Sequence, residues 1–190
     1  MDRDTSVENV TRMQKQTKQW IKDSLIELLK DYDLEEITVK QIVVTADISR
    51  PTFYRYYATK EEVLEELIND MIQGYAVTAM ETTTTTFDEI LKVFLDYFQK
   101  KQSIIKVLIR AHLTDYFTSA FTKSFAEKMD EFPASWRNWK TDLQISLGVQ
   151  FATGGLLNVL IGWVATGCKI DSEIIVRNVM MILHDLGGEI

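Results

Sequence analysis

The chain has 190 residues, of which 46% are hydrophobic and 26% are charged, as in ordinary folded domains. Its single cysteine, Cys168, excludes an internal disulfide and a thiolate metal cluster, and the first ten residues lack the apolar core of a signal peptide. We therefore expect a cytoplasmic protein. The net charge of −7 does not exclude a nucleic-acid partner, because residues 38–60 hold four basic side chains and one acidic side chain.

The first third of the chain predicts a cluster of short helices. Residues 1–16 are polar and predict either a frayed arm or a helical extension, and apolar residues recur at helical spacing from Trp20 onward. Three N-cap signals follow: Thr38 with Gln41, Ser49 with Pro51, and Thr59 with Glu62. Helices are therefore predicted to begin near residues 39, 50 and 60, and the middle one is so short that it must pack on its neighbours.

The remaining two thirds also predict helices. The expected helices cover residues 60 to about 80, Phe87 to Phe98, Ile104 to about Phe117, a stretch around Phe121 that ends before Pro133, residues 143–168, and Ser172 to about Leu186. Residues 82–86, five threonines, predict a connector, and residues 134–141 are ambiguous. No strand-like alternation or hairpin signal is present, so the predicted fold class is all-α with about nine helices.

Residues 143–168 contain no charged side chain over 26 positions. The length is sufficient for a membrane span, but polar residues and five glycines are spread along the segment and no basic cluster flanks it. A helix that is apolar nearly all round is buried on more than one side. We therefore expect no membrane contact and a homodimer formed through residues 143–168 and 172–186, with Gly148, Gly154, Gly155 and Gly162 allowing close helix approach.

Residues 38–57, TVKQIVVTADISRPTFYRYY, have the pattern of two helices joined by a tight turn. Val39, Ile42, Val43, Ala46, Ile48, Phe53 and Tyr57 form the predicted inner face, whereas the outward residues of the second helix are hydrogen-bonding types that suit phosphates and base edges. A helix of this kind enters the major groove of double-stranded DNA. We assign Arg50, Thr52 and Arg55 to base reading, and Thr38, Lys40, Tyr54, Tyr56 and Lys60 to phosphates, with Pro51 at the start of the recognition helix.

The stretch TVKQIVVTADISRPTFYRYYATKEEVLEEL resembles the DNA-binding domain of the TetR/AcrR family of regulators. The resemblance covers residues 14–74, with the helix-turn-helix at about 37–57, and leaves residues 75–190 as a second domain. It implies a three-helix head, a helical body that binds a small effector, and dimerisation through the last two long helices. The sequence departs from the family pattern at two positions where glycine is common, Asp47 in the turn and Pro51 in the recognition helix.

The C-terminal stretch GGLLNVLIGWVATG is also similar to a subgroup that includes the dihydroxyacetone-kinase activator type, in which a protein partner participates. We therefore expect a ligand-responsive repressor that acts as a homodimer on a near-palindromic operator. The alternative is a co-activator that acts mainly through a protein partner.

A pocket requires polar groups that converge in an apolar wall. His112 and Tyr116, one helical turn apart, are the candidate pair, with Gln150 and Asn158 as further candidates. No nucleophile motif, phosphate-binding glycine loop or metal-ligand set is present, so neither catalysis nor a cofactor or metal is expected.

Overall fold

The computed structural model describes residues 3–82, 86–128 and 139–187, with side chains from Arg12 to Leu186. Within these ranges there are nine α-helices and one turn of 3-10 helix, and no strand. The helices are α1 (Arg3–Leu28), α2 (Val39–Thr45), α3 (Arg50–Tyr54), α4 (Lys60–Glu81), α5 (Phe87–Gln99), α6 (Gln102–Arg110), α7 (Thr114–Lys128), α8 (Asp142–Ala165) and α9 (Ser172–Gly187), and the 3-10 turn is Leu34–Glu36. The prediction of an all-α chain is confirmed.

The chain divides into two compact units, Met1–Ile68 and Asn69–Ile190, which we call the head and the body. The division falls within α4, so that helix contributes its first part to the head and the remainder to the body. It lies a few residues before the boundary at 74 that the resemblance suggested.

The head is built on the apolar side of α1. Its core is formed by side chains with almost no exposed surface: Ile21, Leu25, Leu29, Leu34, Ile37, Ile42, Phe53, Val63 and Leu64. Helix α1 packs on α2, and α2 packs on α3. The predicted starts at 39, 50 and 60 are confirmed, and so is the helical alternative for the polar first residues, because α1 begins at Arg3.

The body buries a cluster of aromatic side chains from α4, α5 and α7. Its members are Tyr75, Phe94, Phe98, Phe117 and Phe121, all at least 95% buried. Around this cluster α5 packs against α8 and α9, and α6 and α7 pack against each other and against α8.

One predicted helix of the body is wrong. The stretch from Ile104 to Phe117 is two helices, because the chain leaves α6 at His112, where φ is 55°. The Leu113 N–H donates to the Leu108 carbonyl at 2.8 Å and the His112 N–H to the Ile109 carbonyl at 3.2 Å, the pair of bonds that closes a helix end. Some predictions concern positions outside the described residues, namely residues 83–85, Met129, Pro133, residues 134–138 and Gly188.

Candidate DNA-binding surface

Helix α2 begins with the predicted capping box. The Gln41 N–H donates to the Thr38 hydroxyl at 3.3 Å, and the Gln41 side-chain oxygen accepts from the Thr38 N–H at 2.8 Å. These bonds satisfy donors that a helix start would otherwise leave without partners. Thr38 and Lys40 are exposed at this end of the helix, whereas Ile42 and Val43 are buried beneath it.

The turn between α2 and α3 is closed at Asp47. Its φ is 51°, and the Ile48 N–H reaches back to the Val43 carbonyl at 3.0 Å while the Asp47 N–H donates to the Val44 carbonyl at 3.3 Å. Asp tolerates this left-handed conformation better than most residues other than glycine. The departure from glycine at position 47 therefore leaves the turn geometry intact.

Helix α3 is short, and its start is fixed by Ser49. The Thr52 N–H donates to the Ser49 hydroxyl at 3.2 Å, and the two hydroxyl oxygens lie 2.8 Å apart. Pro51 occupies the first turn, where no N–H is required. The Thr52 hydroxyl is thus oriented by Ser49, a contact that the sequence analysis missed although the spacing of three residues is visible in the sequence.

The inner side of α3 is anchored by two aromatic rings. Phe53 is fully buried and Tyr57 is 3% exposed, with ring centroids 6.0 Å apart. Tyr54 lies on the other side, 57% exposed, with its ring edge-on to Phe53 at 5.5 Å. A five-residue helix has no stability of its own, so these contacts hold it in place.

The predicted contact residues of α3 lie on its outward side to different extents. Arg50, Pro51 and Arg55 are exposed together with Tyr54, whereas Thr52 and Tyr56 are half-buried. The resulting surface presents two guanidinium groups and a phenol, one guanidinium at the start of α3 and the other two groups at its end. Such groups bind phosphate oxygens and base edges, and their role as DNA contacts stays a prediction.

Lys60 differs from its prediction as an exposed phosphate contact. It is half-buried, and its ammonium donates to the carbonyl oxygens of Leu34, Glu35 (3.1 Å) and Ile37 (2.7 Å). Lys has three N–H donors, so all are used. A phosphate contact would require at least one of these bonds to break. In this structure the side chain connects the start of α4 to the 3-10 turn.

An ion-pair group supports the head behind α3. The Glu66 carboxylate accepts from the Lys18 ammonium at 2.8 Å and from the buried Lys22 ammonium at 3.4 Å. Burial alone would raise the pKa of Glu66, but the hydrogen bonds and charges of the two lysines outweigh it and lower that pKa. Lys18 also lies 5.3 Å from the centroid of the Tyr57 ring. The sequence analysis missed this group; the spacing of four residues between the two lysines was its visible signal.

The four residues proposed for an effector pocket lie at the surface of the chain. His112, Tyr116, Gln150 and Asn158 are all exposed. His112 is the residue that ends α6, and the Asn158 amide donates to the Gly154 carbonyl of its own helix at 2.7 Å. The Gln150 amide donates to the Ser146 hydroxyl of α8 at 3.2 Å. His112 breaks a stretch that helical periodicity had joined into one helix, and a pocket built from these four side chains stays a prediction.

The head thus has the geometry of a helix-turn-helix: two short helices, a closed turn, and an exposed basic and polar face on the second helix. This arrangement defines the class of DNA-binding regulators. A model described as "Bacterial regulatory proteins, tetR family" matches residues 21–67, and one described as "Transcriptional regulator C-terminal region" matches residues 85–185. The chain therefore belongs to the TetR family, a family of DNA-binding transcriptional regulators rather than enzymes.

Two curated relatives carry similar sequences. An uncharacterized HTH-type transcriptional regulator of Bacillus subtilis, YxbF, is 30% identical over 109 residues, which are 53% of this chain and 29% of that protein. The HTH-type transcriptional regulator EthR of Mycobacterium tuberculosis is 27% identical over 117 residues, 57% of this chain and 54% of EthR. The matches therefore span about a third to a half of the length of these relatives.

Three solved structures share the fold across the chain. Lin0861 from Listeria innocua has a TM-score of 0.75 at 17% identity, with 93% of each chain covered. A TetR transcriptional regulator from Streptococcus agalactiae has a TM-score of 0.64 at 24% identity, covering 93% of this chain and 98% of that one. The dihydroxyacetone kinase operon activator DhaS has a TM-score of 0.55 at 16% identity, covering 90% and 95%. At these identities the likeness shows the fold alone.

Proposed function

We propose that this protein is a cytoplasmic, ligand-responsive repressor that binds a near-palindromic operator as a homodimer. The observation that carries the proposal is the exposed Arg50, Tyr54 and Arg55 on a helix that buried Phe53 and Tyr57 hold in place. Each copy inserts α3 into a major groove, and a two-fold symmetric dimer reads two half-sites about one helical turn of DNA apart.

The DNA contacts divide by their position on the head. Arg50 and Arg55 read base edges, since Arg forms bidentate bonds that distinguish bases. Thr52 presents to the groove a hydroxyl oriented by Ser49. Thr38, Lys40, Tyr54 and Tyr56 contact phosphates, and we omit Lys60 because its ammonium is used within the head.

An exposed apolar surface on α8 and α9 supports the homodimer. Its large side chains are between 56% and 72% exposed in the single chain: Leu143, Leu147, Phe151, Met181, Ile182 and Leu186. Next to them, a side chain added at Gly154, Gly155 or Gly162 would meet no atom within 4 Å, so a second copy has room to approach closely. Exposed apolar surface of this extent is typical of an interface.

Helix α8 requires a separate argument because it is long and apolar enough to cross a membrane. Its best 18-residue window has a mean hydropathy of 1.5, and 22% of that window is buried within the chain. One such helix is weak evidence for a span, and α8 lies wholly inside the region matched by the regulator C-terminal model. Contact with a second copy accounts for its composition without a membrane.

The test is a footprint on the DNA upstream of the protein's own gene. Wild type should protect a near-palindromic site, and Arg50→Ala should lose the preference for that site over random DNA, with Arg110→Ala, an exposed arginine on α6 outside the proposed dimer helices, as the matched control. Lys40→Ala should weaken binding to all sequences and reduce the salt slope by about one. A sharp footprint from the Arg50→Ala protein would refute the base-reading assignment.

Two further outcomes would contradict the rest of the proposal. A light-scattering mass equal to one chain at micromolar concentration would contradict the dimer. The absence of salt-dependent binding to every tested operator would favour the alternative, a co-activator that acts mainly through a protein partner.

A further inference from the structure

The interior of the body is filled where an effector would be most shielded from water. Tyr75, Phe94, Phe98, Phe117 and Phe121 are all buried, and their contacting ring pairs have centroids 5.0 to 6.1 Å apart. These are contact distances for aromatic rings. No drug-sized molecule fits between these five rings without displacing one of them.

A cavity of about 830 Å³ lies instead between α5, α8 and α9. We call it the α5–α8–α9 groove. Leu91 of α5 is 1% exposed and forms its floor, Ala152 and Leu156 of α8 are half-buried along its wall, and Leu147 and Phe151 form its exposed rim. Its volume is within the range of small-molecule sites.

One end of the groove is closed by Trp139. A Cβ built on Gly148 would lie 2.5 Å from two ring atoms of Trp139, so the indole rests directly on the backbone of α8. Only glycine permits this approach at position 148. The sequence analysis had assigned Gly148 to contact with another chain; the structure uses it for contact within the chain.

The lining determines the chemistry of a ligand. Among the residues that the structure describes, fourteen line the groove; thirteen of these are apolar or glycine, and none is charged. The exception is Gln144, whose side-chain oxygen accepts from the N–H groups of Lys140 (2.9 Å) and Thr141 (3.2 Å). A charged ligand group would lose its hydration with no ionic partner, whereas a hydrocarbon chain or uncharged ring gains from burial.

We infer that the α5–α8–α9 groove is the effector site and that it takes an uncharged, elongated apolar molecule. This inference rests on the proposed function, because it names the effector class and its place. The groove's rim, Leu147 and Phe151, is part of the surface that the proposed dimer covers. A ligand seated there contacts the interface directly and shifts the dimer between two states according to its differential affinity for them.

The experiment uses the full chain and 11-bromo-1-undecanol, an uncharged alcohol whose bromine quenches a tryptophan that it touches. Wild type should show saturable quenching of its tryptophan emission. Trp139→Phe should lose most of that quenching, and Trp163→Phe should keep it, because Trp163 is buried and does not line the groove.

Groove-filling variants give the second arm. Ala152→Phe occupies the volume and should weaken alcohol affinity by about tenfold or more, whereas Ala126→Phe, an exposed matched change on α7, should leave it unchanged. Light scattering on each variant reports whether the dimer is retained. Trp139→Phe and Trp163→Phe test alcohol binding in the groove without filling it. The inference therefore stays testable even if the Ala152→Phe protein does not fold.

Three results would overturn the inference. The first is an unchanged affinity for the alcohol in folded Ala152→Phe protein. The second is the absence of saturable quenching in a dimeric wild type, which is expected if a second copy fills the groove. The third is alcohol binding that leaves the affinity for the operator unaltered. Failure of the proposed function is recognised separately, as absent operator binding by wild type without alcohol.

Discussion

The head and the body each end a helix with a residue in the left-handed conformation, but the chain that follows it differs between the two units. Helix α2 stops at Asp47, with φ of 51°, and α6 stops at His112, with φ of 55°, each with the same pair of backbone hydrogen bonds. In the head this turn leads directly to Ser49 and fixes the start of α3. In the body it leads to buried Leu113 and redirects the chain into α7. A polar side chain in the left-handed conformation therefore marks a stop and is not by itself a site.

The exposed faces of the two units also differ in kind. The head exposes Arg50, Tyr54 and Arg55 along one short helix, whereas the body exposes Leu147, Phe151 and other large apolar side chains along α8 and α9. A charged, hydrogen-bonding face suits a nucleic acid, and an apolar face suits another protein surface or an apolar ligand. The exposed residues of the two units thus indicate two classes of partner.

The largest expected effect comes from removing the aromatic anchor of the head. Phe53→Ala leaves a cavity under α3 and should lower the free energy of unfolding of the head by about 3–5 kcal/mol. DNA binding should then be lost while the helical signal of the body persists. Tyr54→Ala, which truncates an exposed ring, should weaken DNA binding with little change in a chemical denaturation curve. Equal destabilisation by the two changes would contradict the inward and outward assignment of α3.

Lys60→Ala tests whether that lysine serves the fold or the DNA. The change leaves the carbonyls of Leu34, Glu35 and Ile37 without the ammonium, and we expect a loss of about 2–3 kcal/mol. Lys40→Ala, also basic but exposed, should leave the denaturation midpoint unchanged and reduce operator affinity. If Lys60→Ala matched wild type in stability and weakened only DNA binding, the original phosphate assignment would be restored.

Gly148→Ala tests the contact between the backbone of α8 and the Trp139 ring in the body. The new methyl group would overlap the Trp139 ring, so either the ring moves or α8 shifts, at a cost of about 1–3 kcal/mol. Gly162→Ala makes the same change on the same helix where no atom of the chain lies within 4 Å, and it should leave the Trp139 ring and its emission unchanged. Thermal melts of both variants, together with the tryptophan emission spectrum as a local report, show whether the contact with Trp139 requires glycine at position 148.

The starts of α2, α3 and α4 were predictable from sequence to within a residue, because their signals are local. Thr38 with Gln41 and Ser49 with Pro51 specify helix starts within four residues. The body was less predictable because its decisive features depend on contacts distant in the chain or on backbone conformation. Nothing local marks His112 as a helix stop, and nothing shows that Gly148 meets Trp139. The pocket prediction has the same weakness, because helical periodicity alone cannot show whether side chains converge.

Acid should weaken the head through Glu66. Its pKa is lowered from the ordinary value of 4.5 in the folded state, so its stabilising contribution is complete above that value and is lost as the pH falls through the lowered folded pKa. In Glu66→Gln this pH-dependent contribution should be absent. The difference in denaturation midpoint between the two proteins should therefore shrink below about pH 4.5. Glu65→Gln, an exposed neighbour, serves as the control, and a constant difference across the acid range would contradict the ion-pair account.

The smallest expected effect comes from changes at Asp47 and His112, the two residues that end α2 and α6. Asp47→Gly and His112→Gly both remove a side chain from a left-handed position, and each should stabilise its own unit by up to about 1 kcal/mol, since glycine adopts this conformation without strain. Asp47→Ala and His112→Ala, which keep the β-carbon and lose the polar group, should destabilise instead. Denaturant titration of the four variants compares the two stops directly. Asp47→Gly should also keep operator binding, because the turn geometry is preserved. If His112→Gly abolished an effector response without changing stability, His112 would have a role beyond ending α6, and the equivalence of the two stops would fail.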